Sequence, residues 1–240
     1  MIKFFRKIRY DLMEKNKTGK YLKYALGEIA LVVIGILIAL SINNWNEDRK
    51  TKLRSQVYIN KLVNDLKIDT LNINALIKKG NANKVKVMNY FSYFNQGNIP
   101  LKKLIDSCKT VNPLYMRYIP VNHTFLDMQS SGNTSLLNDS QHNALIELSS
   151  DYEQLQIIIE KIINSSIHEI DERNRHLGYP DDFFEKLGKT ASEDNKLQWL
   201  IHQHLSFNKI IQLYDYIERR GLRIKEKSEE TILILKGKQK

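Results

Sequence analysis

Twelve residues in a row, Ile29 to Leu40, are apolar, and this run limits what the chain can fold into more than any other stretch. With one acid, Glu28, admitted near its start, the apolar segment extends from Tyr24 to Ile42, and Trp45 closes it. From Tyr24 to Trp45 there are 22 residues, about 33 Å of helix at roughly 1.5 Å per residue, enough to cross a hydrocarbon core of about 30 Å. Tyr21 and Tyr24 at one end and Trp45 at the other stand where aromatic belts meet the headgroups. The reading is a transmembrane helix over 21–45, between a basic head (1–20) and a body (46–240). A buried helix of a soluble protein suits this length less well.

Net charge follows the same division. The formal charge of +10 would point to nucleic acid if it were spread over the chain. Met1 to Lys23 alone holds eight Lys/Arg against two acids, and the other 217 residues hold 29 against 25. Cations beside a span attract anionic lipid, so the expected partner is the bilayer and no nucleic acid. Lys17, Lys20 and Lys23 crowd the start of the span, whereas Asn43 to Asp48 carries no cation before Arg49 and Lys50. The positive-inside rule then places the N-terminus in the cytoplasm and the body outside it. A cleaved signal peptide is the rival reading, with Ala39-Leu40-Ser41 as a small-x-small site. The head is long for such a leader, and the apolar run exceeds the usual core of about 7–15 residues. Within the head, Phe5, Ile8 and Leu12 recur at helical spacing with Lys3, Arg6, Lys7 and Arg9 largely opposite. An interfacial helix fits this pattern, and so does a basic tail that only enforces topology.

The opening FFRKIR at Phe4 to Arg9, followed by GEIALVVIGILIALSINNWNE at Gly27 to Glu47, resembles a family of single-span membrane proteins of unknown function from Bacteroidetes-type bacteria. Gly27-Glu28 and Asn43-Asn44-Trp45-Asn46-Glu47 carry the likeness, being polar or aromatic choices that hydrophobicity does not dictate. Ser41 stands where that pattern has Gln. A weaker likeness lies in Phe125 to Tyr152, with Ser131-Gly132 before Leu136-Leu137. The resemblance implies a bacterial inner-membrane protein of unknown function and supplies no catalytic residues; in such a membrane the charge bias places the C-terminal domain in the periplasm.

The body is expected to be all-α: the transmembrane helix is followed by an elongated extracytoplasmic helical bundle. Ile59, Leu62, Leu66, Ile73 and Leu76 form one stripe between exposed Lys, Asp and Asn, so an amphipathic helix leads away from the span. Gly80-Asn81 reads as its first break, after which Val85, Met88, Tyr90, Phe91 and Phe94 make an aromatic-rich second segment. Gln96 to Pro100 is a turn, Leu101 to Cys108 a short helix, and Lys109 to Asn122, with Pro113 and Pro120, an ordered loop. Its Tyr115, Met116 and Tyr118 either cover a core or line a ligand groove. A helix of one or two turns starts at His123-Thr124 and ends at Ser131-Gly132.

Asn138 can cap the next helix while Gln141 answers three residues on. Leu145, Leu148, Tyr152, Leu155, Ile159 and Ile162 then form a heptad-like seam, persisting to about His176, with Gly178 and Pro180 as the stop. After a polar connection through Gly188, a last helix from about Glu193 buries Trp199, Leu200, Ile210, Leu213, Ile217 and Ile224. Thr231 to Leu235 is ambiguous between helix and strand.

Candidate chemistry is sparse. His168, Glu172 and His176 share a helix face, but the three are stretched over about 12 Å and suit a solvated face better than a metal. His202 and His204, two apart, diverge. Cys108 is the only cysteine, so no disulfide forms within the chain, and a buried apolar role is expected for it. Ser130-Ser131-Gly132 precedes a helix and reads as a cap or turn rather than a nucleophile site. No Gly-x-Ser-x-Gly, P-loop or Gly-x-Gly-x-x-Gly occurs, so no catalytic, cofactor-binding or metal residue is assigned. In the span, Gly35 and Ala39 form a small-x-x-x-small pair on the face of Glu28, the expected face for self-association or for another protein's span. The functional expectation is a membrane-anchored interaction or sensing module. The alternatives are a cell-envelope enzyme with a loop-built site between Pro113 and Gly132, and a spacer within an envelope complex.

Overall fold

The computed structural model describes residues 18–177 and 192–237 together with Tyr10. The helical spacing of the head, the stop at Gly178 and Pro180 and the connection through Gly188 lie outside the described residues, as do the side chains of Tyr21 and Tyr24. The fold is all-α: among the described residues α1 (Thr18–Phe94), α2 (Leu101–Thr110), α3 (His123–Ser130), a 3-10 turn (Asn133–Leu136), α4 (Asp139–Leu177) and α5 (Glu193–Leu235) account for the regular structure. The chain divides into two compact units, Met1–Val57 and Tyr58–Lys240, and α1 contributes to both. The second unit holds the core.

No break occurs at Gly80-Asn81; α1 continues to Phe94. A lone glycine costs a helix interior only about 1 kcal/mol, and here Gly80 is buried against the elements that α1 packs on. A Cβ on Gly80 would lie 3.5 Å from Met116 Cε and 3.6 Å from Tyr214 Cδ1. Asn81, read as turn chemistry, donates instead to Glu218 Oε1 of α5 at 2.8 Å, and Lys84 pairs with Asp215 one turn on. The stripe beyond Gly80 is rotated from the expected one. Val87 and Tyr90 are buried, Phe91 and Phe94 pack partly against the core, and Val85 and Met88 face outward.

The ends of α1 to α3 follow local chemistry. Gly97 (φ 71°) and Asn98 (φ 53°) take the left-handed conformation after α1, and Pro100 then opens α2, which buries Ile105 and Cys108. Gly132 (φ 72°) turns the chain out of α3 as expected. Ser130 and Ser131 donate their hydroxyls to Asp127 O at 3.0 and 2.6 Å, the helix-end role assigned to them.

α4 begins on the reciprocal cap read from the sequence: Asn138 Oδ1 accepts from Gln141 N at 2.9 Å, and Gln141 Oε1 accepts from Asn138 N at 3.1 Å. Its seam buries Leu145, Leu148, Tyr152, Leu155 and Ile159, then passes to Ile163 and Ser166 instead of Ile162. A helix of 3.6 residues per turn drifts against a strict heptad by about 20° per repeat, enough to exchange one position for the next. α5 is capped by Ser192 Oγ, which accepts from Asn195 N at 3.1 Å. All six of its expected apolar residues are buried, and Thr231 to Leu235 is helical. Gln203, Ser206, Gly221, Ser228 and Thr231 complete its buried line. Where α4 and α5 face each other, Ser166 and Ser206 share a hydrogen bond of 2.8 Å.

Candidate functional site

The first unit presents a helical segment that is apolar and exposed on every side. Between Ile29 and Leu40 the nine large aliphatic side chains are 47% to 63% exposed, and no residue of the most apolar window is buried. This helix is long and apolar enough to cross a membrane. Spacings of seven and four bring Glu28, Gly35 and Ala39 onto one face. Gly35 has open space where its Cβ would stand.

In the second unit the segment 111–122 lies across the bundle as a strap, and its inner side is held by two carboxylates of α1. Asp69, fully buried, accepts from Tyr118 Oη at 2.8 Å and from Val121 N at 2.9 Å. One turn earlier Asp65, 8% exposed, accepts from Thr124 N at 3.0 Å, satisfying a free amide at the start of α3. The expected exposure of the aspartates along α1 is therefore wrong for these two. They belong to the apolar stripe itself, at helical spacing from Leu62, Leu66 and Ile73, and acids interrupting such a stripe are the signal that could have revealed them. Burial raises the Asp69 carboxyl above its usual 3.8 despite the opposing bonds from Val121 and Tyr118. Desolvation likewise pushes the Tyr118 and Tyr152 hydroxyls up.

Further along, Tyr115 Oη reaches Ser166 Oγ at 3.2 Å, Tyr214 Oη donates to Leu114 O at 2.9 Å, and Gln156 Nε2 donates to Tyr118 O at 3.4 Å. Met116 and Tyr118 point inward, so these strap side chains cover the core. The cavity between Asp65, Val121, Asn122, Ser149 and Tyr152 measures about 10 Å³, room for a single water.

Elsewhere a shallow groove of about 550 Å³ runs between Phe94, Leu101 and Leu104 on one side and Leu197 and Leu200 on the other, with Glu193 and Asp194 at its rim. A smaller apolar recess beside it ends on His204. That ring packs against Phe91 and Phe94 at centroid distances of 4.6 and 4.7 Å, and burial pushes its pKa below 6.5. His202 diverges as expected. Its Nδ1 lies 2.9 Å from Glu169 Oε2, and its ring stacks on His176 at 5.7 Å. His168, Glu172 and His176 are not brought together; Glu172 pairs with Arg175 at 2.8 Å. Among the described residues no three His, Cys, Asp or Glu side chains are grouped to hold a metal ion. Cys108 is buried and its thiol is pushed up to about 11, against any role as a nucleophile at neutral pH.

A family model described as a family of unknown function (DUF6090) matches residues 28–174, more than half of the chain, from Glu28 of α1 into the last turn of α4. No curated protein and no solved structure matches the chain.

Proposed function

The chain belongs to the DUF6090 family, and from that premise we propose that it is a single-span bacterial inner-membrane protein. The N-terminus faces the cytoplasm, and the helical body serves as a periplasmic interaction or sensing module. The observation that carries this reading is the apolar segment from Ile29 to Leu40, exposed on every side of the helix. Burying a large aliphatic side chain completely is worth about 1.5–3 kcal/mol, so nine left about half exposed forgo roughly 7–15 kcal/mol. A typical domain is stable by only about 5–15 kcal/mol. Lipid relieves that cost without any partner protein, and the face of Glu28, Gly35 and Ala39 remains available for a second span, whether another copy or a partner.

Topology is tested in intact cells with an impermeant thiol reagent. Cys108 is buried and stays silent, so a cysteine at Ser55 should be labelled and one at Thr18 should not. The reverse pattern, or labelling of both, refutes the proposed arrangement.

A further inference from the structure

A fully buried carboxylate normally faces a cation, because an uncompensated charge in a protein interior costs several kcal/mol. Asp69 faces none. On its own helix the neighbouring acid is Asp65, about 6 Å away along the axis. The strap offers the Tyr118 hydroxyl and the Val121 amide. From α4 comes Tyr152, its hydroxyl buried near the carboxyl, with Ser228 of α5 beside that hydroxyl. The α5 cations Lys227 and Arg223 are engaged by Asp151, at 2.7 and 3.9 Å. Two of the groups that cover Asp69, Tyr118 and Val121, belong to the strap, so lifting it would return the carboxylate to water.

We propose that Asp69 makes this strap a proton-operated latch, in which docking over α1 takes up a proton and so tightens as the medium turns acid. A neutral carboxyl keeps an acceptor for Val121 N and gains a donor for the Tyr152 oxygen, which otherwise has no hydrogen-bond partner, and the site then holds no buried charge. The sign follows from linkage. Docked, the carboxyl titrates above 3.8; undocked, it returns to the ordinary range. The docked state is therefore favoured most below the ordinary carboxylate pKa and loses that advantage as pH rises through the docked value. The side presented to solvent carries Ile119, 77% exposed, with Leu114 and Tyr115 at 40% each. The latch would set how firmly that apolar surface is held. This inference is independent of whether the chain spans a membrane.

The test is amide hydrogen exchange on the full chain in detergent micelles, from pH 3.5 to 8, with protection of 117–122 corrected for intrinsic exchange rates and compared with the α4 seam. Wild type should lose at least threefold protection in the strap as pH rises, and Asp69→Asn should be flat. Tyr118→Phe removes a bond that favours the ionised form, so its transition should move to higher pH; this variant keeps the test decisive if Asp69→Asn does not fold. Wild-type protection that is flat or rises with pH overturns the latch. So does a slope that survives Asp69→Asn, or one abolished by Asp65→Asn instead.

Discussion

Two glycines at the α1 and α5 contact should respond in opposite directions to the same change. Gly221→Ala would place a methyl 3.0 Å from Ile77 Cδ1, 3.1 Å from Ile73 Cγ2 and 3.3 Å from Ile77 Cγ1. Alanine gains about 1 kcal/mol over glycine in a helix interior, but forcing a methyl into a filled site costs about 1–3 kcal/mol. Ile77 can swing its terminal methyl; Ile73 is 1% exposed and branched at Cβ, so it can yield only if the helix shifts. The balance is a loss of up to about 2 kcal/mol, or up to about 8 °C in melting temperature for a body of this size. Gly80→Ala meets ordinary contacts, 3.5 Å at the nearest, so the helix gain should survive and raise the melting temperature by about 1–4 °C. Thermal unfolding of the full chain in micelles, followed by near-ultraviolet circular dichroism, reads both. Adding Ile77→Val removes the nearest clashing atom and should recover part of the Gly221→Ala loss beyond additivity. The reasoning fails if Gly221→Ala stabilises as much as Gly80→Ala, or if the double variant is strictly additive.

Leu148 and Leu155 are each 1% exposed on the α4 seam, so Leu148→Ala or Leu155→Ala should cost about 2–5 kcal/mol; denaturation midpoints equal to wild type would mean that the seam is not core. In the proposed span, Gly35→Ile should abolish association in a bacterial-membrane reporter, and Glu28→Gln should alter it at equal expression. A wild-type span that reports no association with itself or with a co-purified partner would refute pairing through that face.

What the sequence shows about this fold is what depends on neighbours along the chain. The Asn138 and Gln141 cap, the left-handed Gly132, the turn before Pro100 and the apolar segment from Ile29 to Leu40 each follow from a few consecutive residues, and each is present. Where a second element decides the outcome, the same local signals mislead. Gly80 carries a breaker's chemistry in isolation, yet Tyr214, 134 positions away, turns it into a packing site. Asp69 looks like surface charge until Tyr118 and Val121 close over it.

The α5 seam shows the physical basis of that limit most directly. From Trp199 to Leu235 its buried line includes Gln203, Ser206, Gly221, Ser228 and Thr231, none of which hydrophobicity marks as core. Ser206 meets Ser166 at 2.8 Å and Gly221 leaves space for Ile73 and Ile77. Thr231 returns its hydroxyl to Lys227 O at 2.8 Å. Ser206, Gly221 and Thr231 each allow close approach or settle a buried polar atom, and the first two roles have no value until the facing helix is known. An apolar stripe says that α5 must be buried along one side, but it leaves the sliding register against its neighbours nearly free. A serine that must meet a serine and a glycine that must meet two isoleucines remove that freedom, because a shift of one turn would bury unpaired hydroxyls and drive side chains into a backbone. Changing Ser166 and Ser206 together to alanine therefore removes a constraint on register along with one hydrogen bond, a loss that a melting temperature alone would understate.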